Sequence, residues 1–534
     1  MTQQAVRTPP APTGLFTRAS SGLVRQVRTD DVMFYGWQQI ALGYIIFIVA
    51  AWQFYPGANM ELATLIATVT GVVMAICYSL LSVVYPRSGG DYVFMSRILH
   101  PSVGLSFSIS LIFWQLFYVG VNGAFLSRYG FAPLFSTLGL QMHNSALIDT
   151  GNWLAGRWGL FFGGNLVIIS FCYIQYRGLG LYFKAQRWAC YVAIVSLAAT
   201  FITLLLTATH VLSFQQHFDA LAGHGAYQKV IADAKAAGNV LNPHFSLSQT
   251  IFFAAWPAFS LWFAVLSVSF GGEVKDTQRA QLVGMNGAII TMGLFMIGLM
   301  FLYRMAFGSQ FILASSELPS SKFPLSASPY VNLYTGIAGH NIALTILNSV
   351  WVIALLFFVG ATSLLASTRS MLAWSIDGVA PRWFADVSER HHTPTWSLLL
   401  CGAIAEVWVL LYAFTHLILV LGGFLGQCVP FIGVSLAALV FPLRRRLEFE
   451  SSAVAYKIGR VAVLSVLGLA SLVSVGFCFY RLCVDTNYGA NNHLSVVMTI
   501  STFVLGILWF YVFRAVRKAR GEPLDLRFDE IPVE

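Results

Sequence analysis

The sequence predicts an all-α integral membrane protein of about twelve transmembrane helices, and three observations carry that reading. Only 10% of the 534 residues are charged while 57% are hydrophobic, a balance that no water-soluble domain of this length keeps. Apolar stretches of roughly 20 residues, the length needed to cross a bilayer core, recur along the chain between short polar connections. Lysine and arginine concentrate on alternate connections, which is how a multi-spanning chain is oriented.

Residues 1–30 contain Pro9, Pro10 and Pro12 with Arg7, Arg18, Arg25 and Arg28 but no apolar core of signal-peptide type. They read as a disordered cytoplasmic tail. Stretches long enough to span and free of formal charge then lie within Val32 to Met60, Leu62 to Pro86, Pro101 to Ser127, Trp158 to Tyr176, Trp188 to Thr209, Phe245 to Gly272 and Ala280 to Tyr303. Five more complete the set: Asn341 to Thr368, Thr395 to Thr415 with Glu406 as its one charge, Leu417 to Leu443, Val461 to Tyr480 and Leu494 to Phe513. Residues 31–443 form a ten-helix core, 444–460 a basic cytoplasmic connection, 461–513 two additional helices and 514–534 a second cytoplasmic tail. The long connections 210–244 and 304–340 have room for short helices, with an amphipathic pattern from Asp219 to Gly238. His416 is expected at the outer surface.

With both termini inside, 24 of the 31 Lys and Arg residues fall on the inner connections and seven on the outer ones. That asymmetry obeys the positive-inside rule with every predicted helix kept. It also explains the formal charge of +9 without nucleic acid, since no basic-aromatic patch exists outside the helix flanks. The cysteines Cys77, Cys172, Cys190, Cys401, Cys428 and Cys478 lie inside apolar stretches and form no CxxC or Cys/His cluster, so neither zinc nor disulfides are expected. No nucleophile with its base, paired carboxylates or metal cluster occurs at membrane depth, so an enzyme is not expected.

The most informative run leads from the second stretch into the third: Tyr85-Pro86-Arg87-Ser88-Gly89-Gly90-Asp91-Tyr92-Val93-Phe94-Met95-Ser96-Arg97. Two more occur in order along the chain, Gly272-Glu273-Val274-Lys275-Asp276 and Ser367-Thr368-Arg369, the latter continuing to Asp377-Gly378-Val379-Ala380-Pro381-Arg382-Trp383-Phe384. Together they resemble the amino acid-polyamine-organocation permeases over roughly residues 31–442. Physically, Gly89 and Gly90 permit a tight turn, Asp91 can cap the helix after it, and Asp377-Gly378 can stop a helix that Pro381 cannot continue. These loops read as scaffold or gate elements.

The resemblance implies a LeuT-like core of two inverted five-helix repeats plus two extra helices, with substrate near the bilayer midplane between interrupted helices one and six. It implies a secondary active transporter of amino acids or related small amines in the plasma membrane, without a bound cofactor and with coupling to H+ or Na+. A non-transporting sensor with a permease fold is the alternative. The substrate-binding candidates are Gly36, Gln39 and Gly43 in helix one and Trp256, Phe259 and Ser260 in helix six. Pro257 breaks the hydrogen-bond ladder of helix six, as a simple kink or as the functional interruption. Gly36 and Gly43 align with family glycines, while Leu42 and Tyr44 replace others. Leu80 stands where the family carries a glutamate, and no Lys or Arg lies between Arg187 and Lys229, where some proton-coupled relatives place a lysine. Thr362 and Ser363 of helix eight stand where sodium-dependent relatives hold an ion, and a plain helix-packing pair is the favoured reading there. Glu406 is a proton site, a neutral structural carboxyl or an interface contact.

Overall fold

The computed structural model describes residues 21–319, 322–415, 420–522 and 524–530. Most of the expected amino-terminal tail, the last four residues and His416 lie outside the described residues. Among those described, twelve helices are long and apolar enough to cross a membrane, and each coincides with one predicted stretch. In chain order the spans are Thr29–Phe54, Met60–Val84, Pro101–Gln141, Arg157–Tyr176, Leu179–Ala208, Leu247–Ser269, Thr277–Phe307, Ile342–Asp377, Thr395–Phe414, Gly422–Arg444, Val463–Val484 and His493–Ala519. The chain is an all-α multi-pass membrane protein.

Several spans outrun the charge-free stretches that predicted them, one, three and eight among them. Span one starts at Thr29, because Asp30 and Asp31 sit in its first turn, where the helix dipole favours negative charge. The Asp31 carboxylate accepts the Arg28 N–H at 3.1 Å and pairs with Arg187 at 2.7 Å. Span three continues past Arg128 through a π-helical turn, Leu126–Phe131. Span eight carries Arg369 and Asp377 in its last turns, both buried and both paired with acids or bases from elsewhere in the chain.

Local chemistry explains where the helices begin and stop. Asn59 opens span two by accepting the Leu62 N–H at 2.7 Å, and Asn341 and Asn492 cap spans eight and twelve in the same way, as short polar side chains do for orphan amides. His100 precedes span three with Pro101 in the first turn. Gly378 ends span eight in the left-handed region, with the Val379 N–H bonded back to the Trp374 carbonyl at 2.9 Å, which closes the orphan carbonyls. The expected stop at Asp377-Gly378 is where the helix ends.

Spans three and four touch backbone to backbone, since a Cβ on Gly123 would lie 2.5 Å from the Gly163 oxygen. Such small-residue contacts supply packing that the lipid cannot. Side chains such as Ile169, Val195, Leu294 and Val473 remain exposed on the outside of the bundle, the reverse of a soluble protein. The long connections fold into short helices, Phe214–Ala222 and Ala226–Ala236 in one, Ser309–Glu317 and Val331–Gly339 in the other. Phe214 and Phe218 are buried there against Phe311.

Among the described residues, spans one and six are interrupted within their length. Span one stops at Ile40, turns through Ala41 and Leu42–Tyr44 and resumes at Ile45. Span six is helical over Leu247–Phe253 and Ala255–Leu261, then tightens to 3₁₀ geometry over Trp262–Ser269. Pro257 lies four residues after Phe253, so its ring faces the carbonyl at which the first segment ends. The interruption therefore falls before and after the proline rather than on it.

Candidate functional site

Breaking a helix inside a membrane strands backbone groups that need partners. At the break of span one Ala41 takes φ 46° and ψ 70°, a left-handed conformation that costs a non-glycine residue roughly 1–2 kcal/mol. Its own N–H bonds the Gln38 carbonyl at 3.1 Å and its carbonyl accepts the Tyr44 N–H at 2.8 Å. The freed Ile40 carbonyl accepts a short hydrogen bond from the Ser260 hydroxyl of span six. One side chain thus joins the two broken spans.

Around this joint lies a cavity of about 10 Å³, lined by Gln39, Tyr44, Tyr118, Asn122, Phe259, Phe263, Val359 and Ser363. That volume is about the room of one water molecule. The Tyr44 and Phe259 rings stack over it with centroids 5.2 Å apart, and Phe263 meets Phe259 edge to face. None of the lining residues carries a formal charge.

Its polar atoms are incompletely bonded. Gln39 reaches Gln115 through its amide nitrogen at 3.4 Å, but its Oε1 has no hydrogen-bond partner. Tyr44 donates to the Asn122 Oδ1, leaving the Asn122 Nδ2 without one, and the Ser363 Oγ and Gln115 Nε2 are likewise unbonded. Burying such atoms costs about 1–3 kcal/mol each, so those of Gln39, Asn122 and Ser363, which line one cavity, call for a ligand or water to complete them. Donors and acceptors are both present.

The predicted residues divide accordingly. Gln39, Phe259 and Ser363 line the cavity, while Ser260 and Gly43 belong to the joint, Gly43 facing Leu356 of span eight. Thr362 donates to the Val359 carbonyl of its own helix at 2.7 Å and its carbonyl accepts the Tyr35 hydroxyl at 3.0 Å. Gly36 instead faces Ala288 and Ala264 in helix packing, and Trp256 lies beside Tyr488 on another face of span six. Sequence reasoning missed Gln115, Tyr118 and Asn122. Their spacing of i, i+3 and i+7 is one helical face, and a polar stripe in an apolar span was the available signal.

Toward one end of the bundle the three sequence motifs meet in a layer of buried ion pairs. Arg369 donates to both carboxylate oxygens of Glu273, at 2.9 and 3.3 Å, with each side chain at most 1% exposed. Arg97 forks onto Asp377 at 2.5 and 2.7 Å, and Tyr92 donates to the same carboxylate at 2.8 Å. Gly89, at φ 74°, donates its N–H to the Ser269 carbonyl at 2.7 Å, and a Cβ on Gly90 would strike the Val268 oxygen at 2.6 Å. Asp91 is buried behind this turn, and burial pushes its carboxyl up to about 7 against the pull of two backbone amides.

The amino acid permease family model matches residues 36–522, which takes in the broken spans, the cavity and all three motifs. The chain belongs to the amino acid permease family. Members of this family are transporters rather than enzymes, so the cavity and its ion-pair layer belong to a membrane transporter. No curated protein matches the chain. In this permease Ser363 and Arg369 lie on one helix six residues apart, about 9 Å along the axis, so the cavity and the ion-pair layer share a rigid element. Glu406 in span nine accepts a hydrogen bond from Asn165 of span four at 3.2 Å, an interface contact, and is not among the residues lining the cavity.

Proposed function

We propose that this permease moves amino acids with uncharged side chains across the plasma membrane by alternating access, with substrate held at the joint of spans one and six. The observation that carries the reading is the convergence of unbonded polar atoms from Gln39, Asn122 and Ser363 on one aromatic-walled cavity. A zwitterion's two charged ends suit the backbone groups of the broken helices, whose N–H and carbonyl ends carry opposite partial charges. A cationic or anionic side chain would meet no opposite charge among the lining residues, and burying it unpaired is costly. Aromatic rings favour an apolar or amide-bearing side chain instead.

Both termini lie on the cytoplasmic side in this reading, supported by the 24 to 7 basic asymmetry. Coupling to H+ or Na+ is part of the same proposal, with the Ser363 hydroxyl, which lines the cavity, and the neighbouring Thr362 as its candidate oxygens. Purified protein in proteoliposomes, given radiolabelled neutral amino acids with and without imposed H+ or Na+ gradients, tests it. Accumulation competed by neutral amino acids and not by lysine or glutamate is expected. Preferential uptake of a charged amino acid overturns the side-chain assignment, and saturable binding without accumulation overturns transport.

A further inference from the structure

The connection between spans ten and eleven builds a second, larger cavity of about 750 Å³ far from the broken helices. Its walls are of two kinds. Leu439, Pro442 and Leu443 from the end of span ten, with Val461 before span eleven, are apolar, whereas Arg446, Lys457 and Arg460 bring positive charge to its mouth. The short helix Arg446–Ser451 and the hairpin pairing Lys457 with Ala462 hold these residues. Tyr85 donates to Glu448 at 2.6 Å, fixing this element to the end of the bundle that carries the Gly89 turn.

The charges do not balance. Glu450 is the cavity's one carboxylate, shared by Arg446 at 3.0 Å and Lys457 at 3.3 Å, and Arg460 is exposed with no ion-pair partner among the described residues. Beside this cationic surplus, Leu443 is 77% and Ile458 75% exposed. Leu443 is the next-to-last residue of a membrane span, so this apolar surface sits at the edge of the bilayer. A small inorganic anion would satisfy the arginines and leave the apolar wall bare. A neutral lipid would do the opposite.

We propose that this cavity binds an anionic phospholipid, its phosphate between Arg446 and Arg460 and an acyl chain against Leu439, Pro442 and Leu443. Basic pockets at span ends attract such headgroups. Thermal unfolding of the full-length protein in neutral detergent, titrated separately with phosphatidylglycerol, phosphatidylcholine and inorganic phosphate, tests it. Phosphatidylglycerol is expected to stabilise the protein more than phosphatidylcholine at equal concentration, with inorganic phosphate ineffective. Arg460→Gln is expected to raise the half-saturating phosphatidylglycerol concentration about fivefold, and Arg446→Gln with Arg460→Gln about twenty-five-fold. Arg460 is exposed and unpaired, so its single variant folds without a lost contact and carries the test alone. Equal stabilisation by phosphatidylcholine, an equal shift with inorganic phosphate, or an unchanged response in Arg460→Gln overturns the proposal.

Discussion

The joint of the broken spans and the ion-pair layer lie about 9 Å apart on span eight, yet they treat polarity in opposite ways. At the joint the polar groups are neutral and several are left unbonded. In the layer the groups are acids and bases, and Arg369–Glu273 and Arg97–Asp377 are buried and closely paired. An unbonded neutral group invites a ligand, whereas a paired buried charge is already satisfied and holds two elements together. The desolvation cost of the ions nearly cancels their attraction. Such a layer therefore fixes the short helix Gly90–Ile98 and the turn Gly271–Glu273 against span eight while adding little net stability.

The contrast is most exposed to Arg369→Met, which leaves Glu273 charged and alone. A loss of about 3–5 kcal/mol in unfolding stability is expected, with most of it restored in Glu273→Met/Arg369→Met. Thermal melts in detergent measure both, and a double variant no more stable than the single one would show that packing rather than charge governs the layer.

Asp91 tests the same end through pH. Its folded carboxyl is raised to about 7 from an ordinary 3.8, so the folded state holds a proton that the unfolded chain releases between those values. Stability is therefore expected to fall as pH rises from about 4 to about 7, by at most about 4 kcal/mol, and to level off above. Asp91→Asn should flatten that slope and be the more stable protein at pH 8. Parallel pH profiles for the two proteins would remove Asp91 as its source.

At the joint the prediction is reversed in kind. Ser363→Ala deletes a buried hydroxyl with no hydrogen-bond partner, so unfolding stability should be unchanged or slightly higher while apparent transport affinity falls about tenfold, or about 1.4 kcal/mol. Unchanged uptake kinetics in proteoliposomes would place the ligand elsewhere.

The smallest effect is expected at Glu406, whose contact is a single hydrogen bond from Asn165. Glu406→Gln keeps an acceptor for that bond, so a stability change within about 0.5 kcal/mol and ordinary pH-dependent uptake are expected. Abolished uptake in a well-expressed variant would make Glu406 a working proton site and spoil the distinction between charged scaffold and neutral joint.

All twelve spans were legible in the sequence, because lipid demands about 20 apolar residues per crossing and that demand is local. The loop motifs were legible too: Gly89 adopts a positive φ and Gly378 ends a helix, both properties of single residues and their neighbours. Gln39, Phe259 and Ser363, which the family resemblance offered as candidates, line one cavity. Counting charge-free stretches clipped spans one and eight, among others, since Asp31, Arg369 and Asp377 are tolerated there by partners 156, 96 and 280 residues away. The same limit hid the joint's true geometry. The left-handed residue is Ala41 rather than a glycine, Trp256 and Gly36 face other helices, and Asn122 enters through its bond to Tyr44. Apolarity and turn chemistry are written residue by residue, but which buried polar atom finds a partner is decided only when distant spans pack.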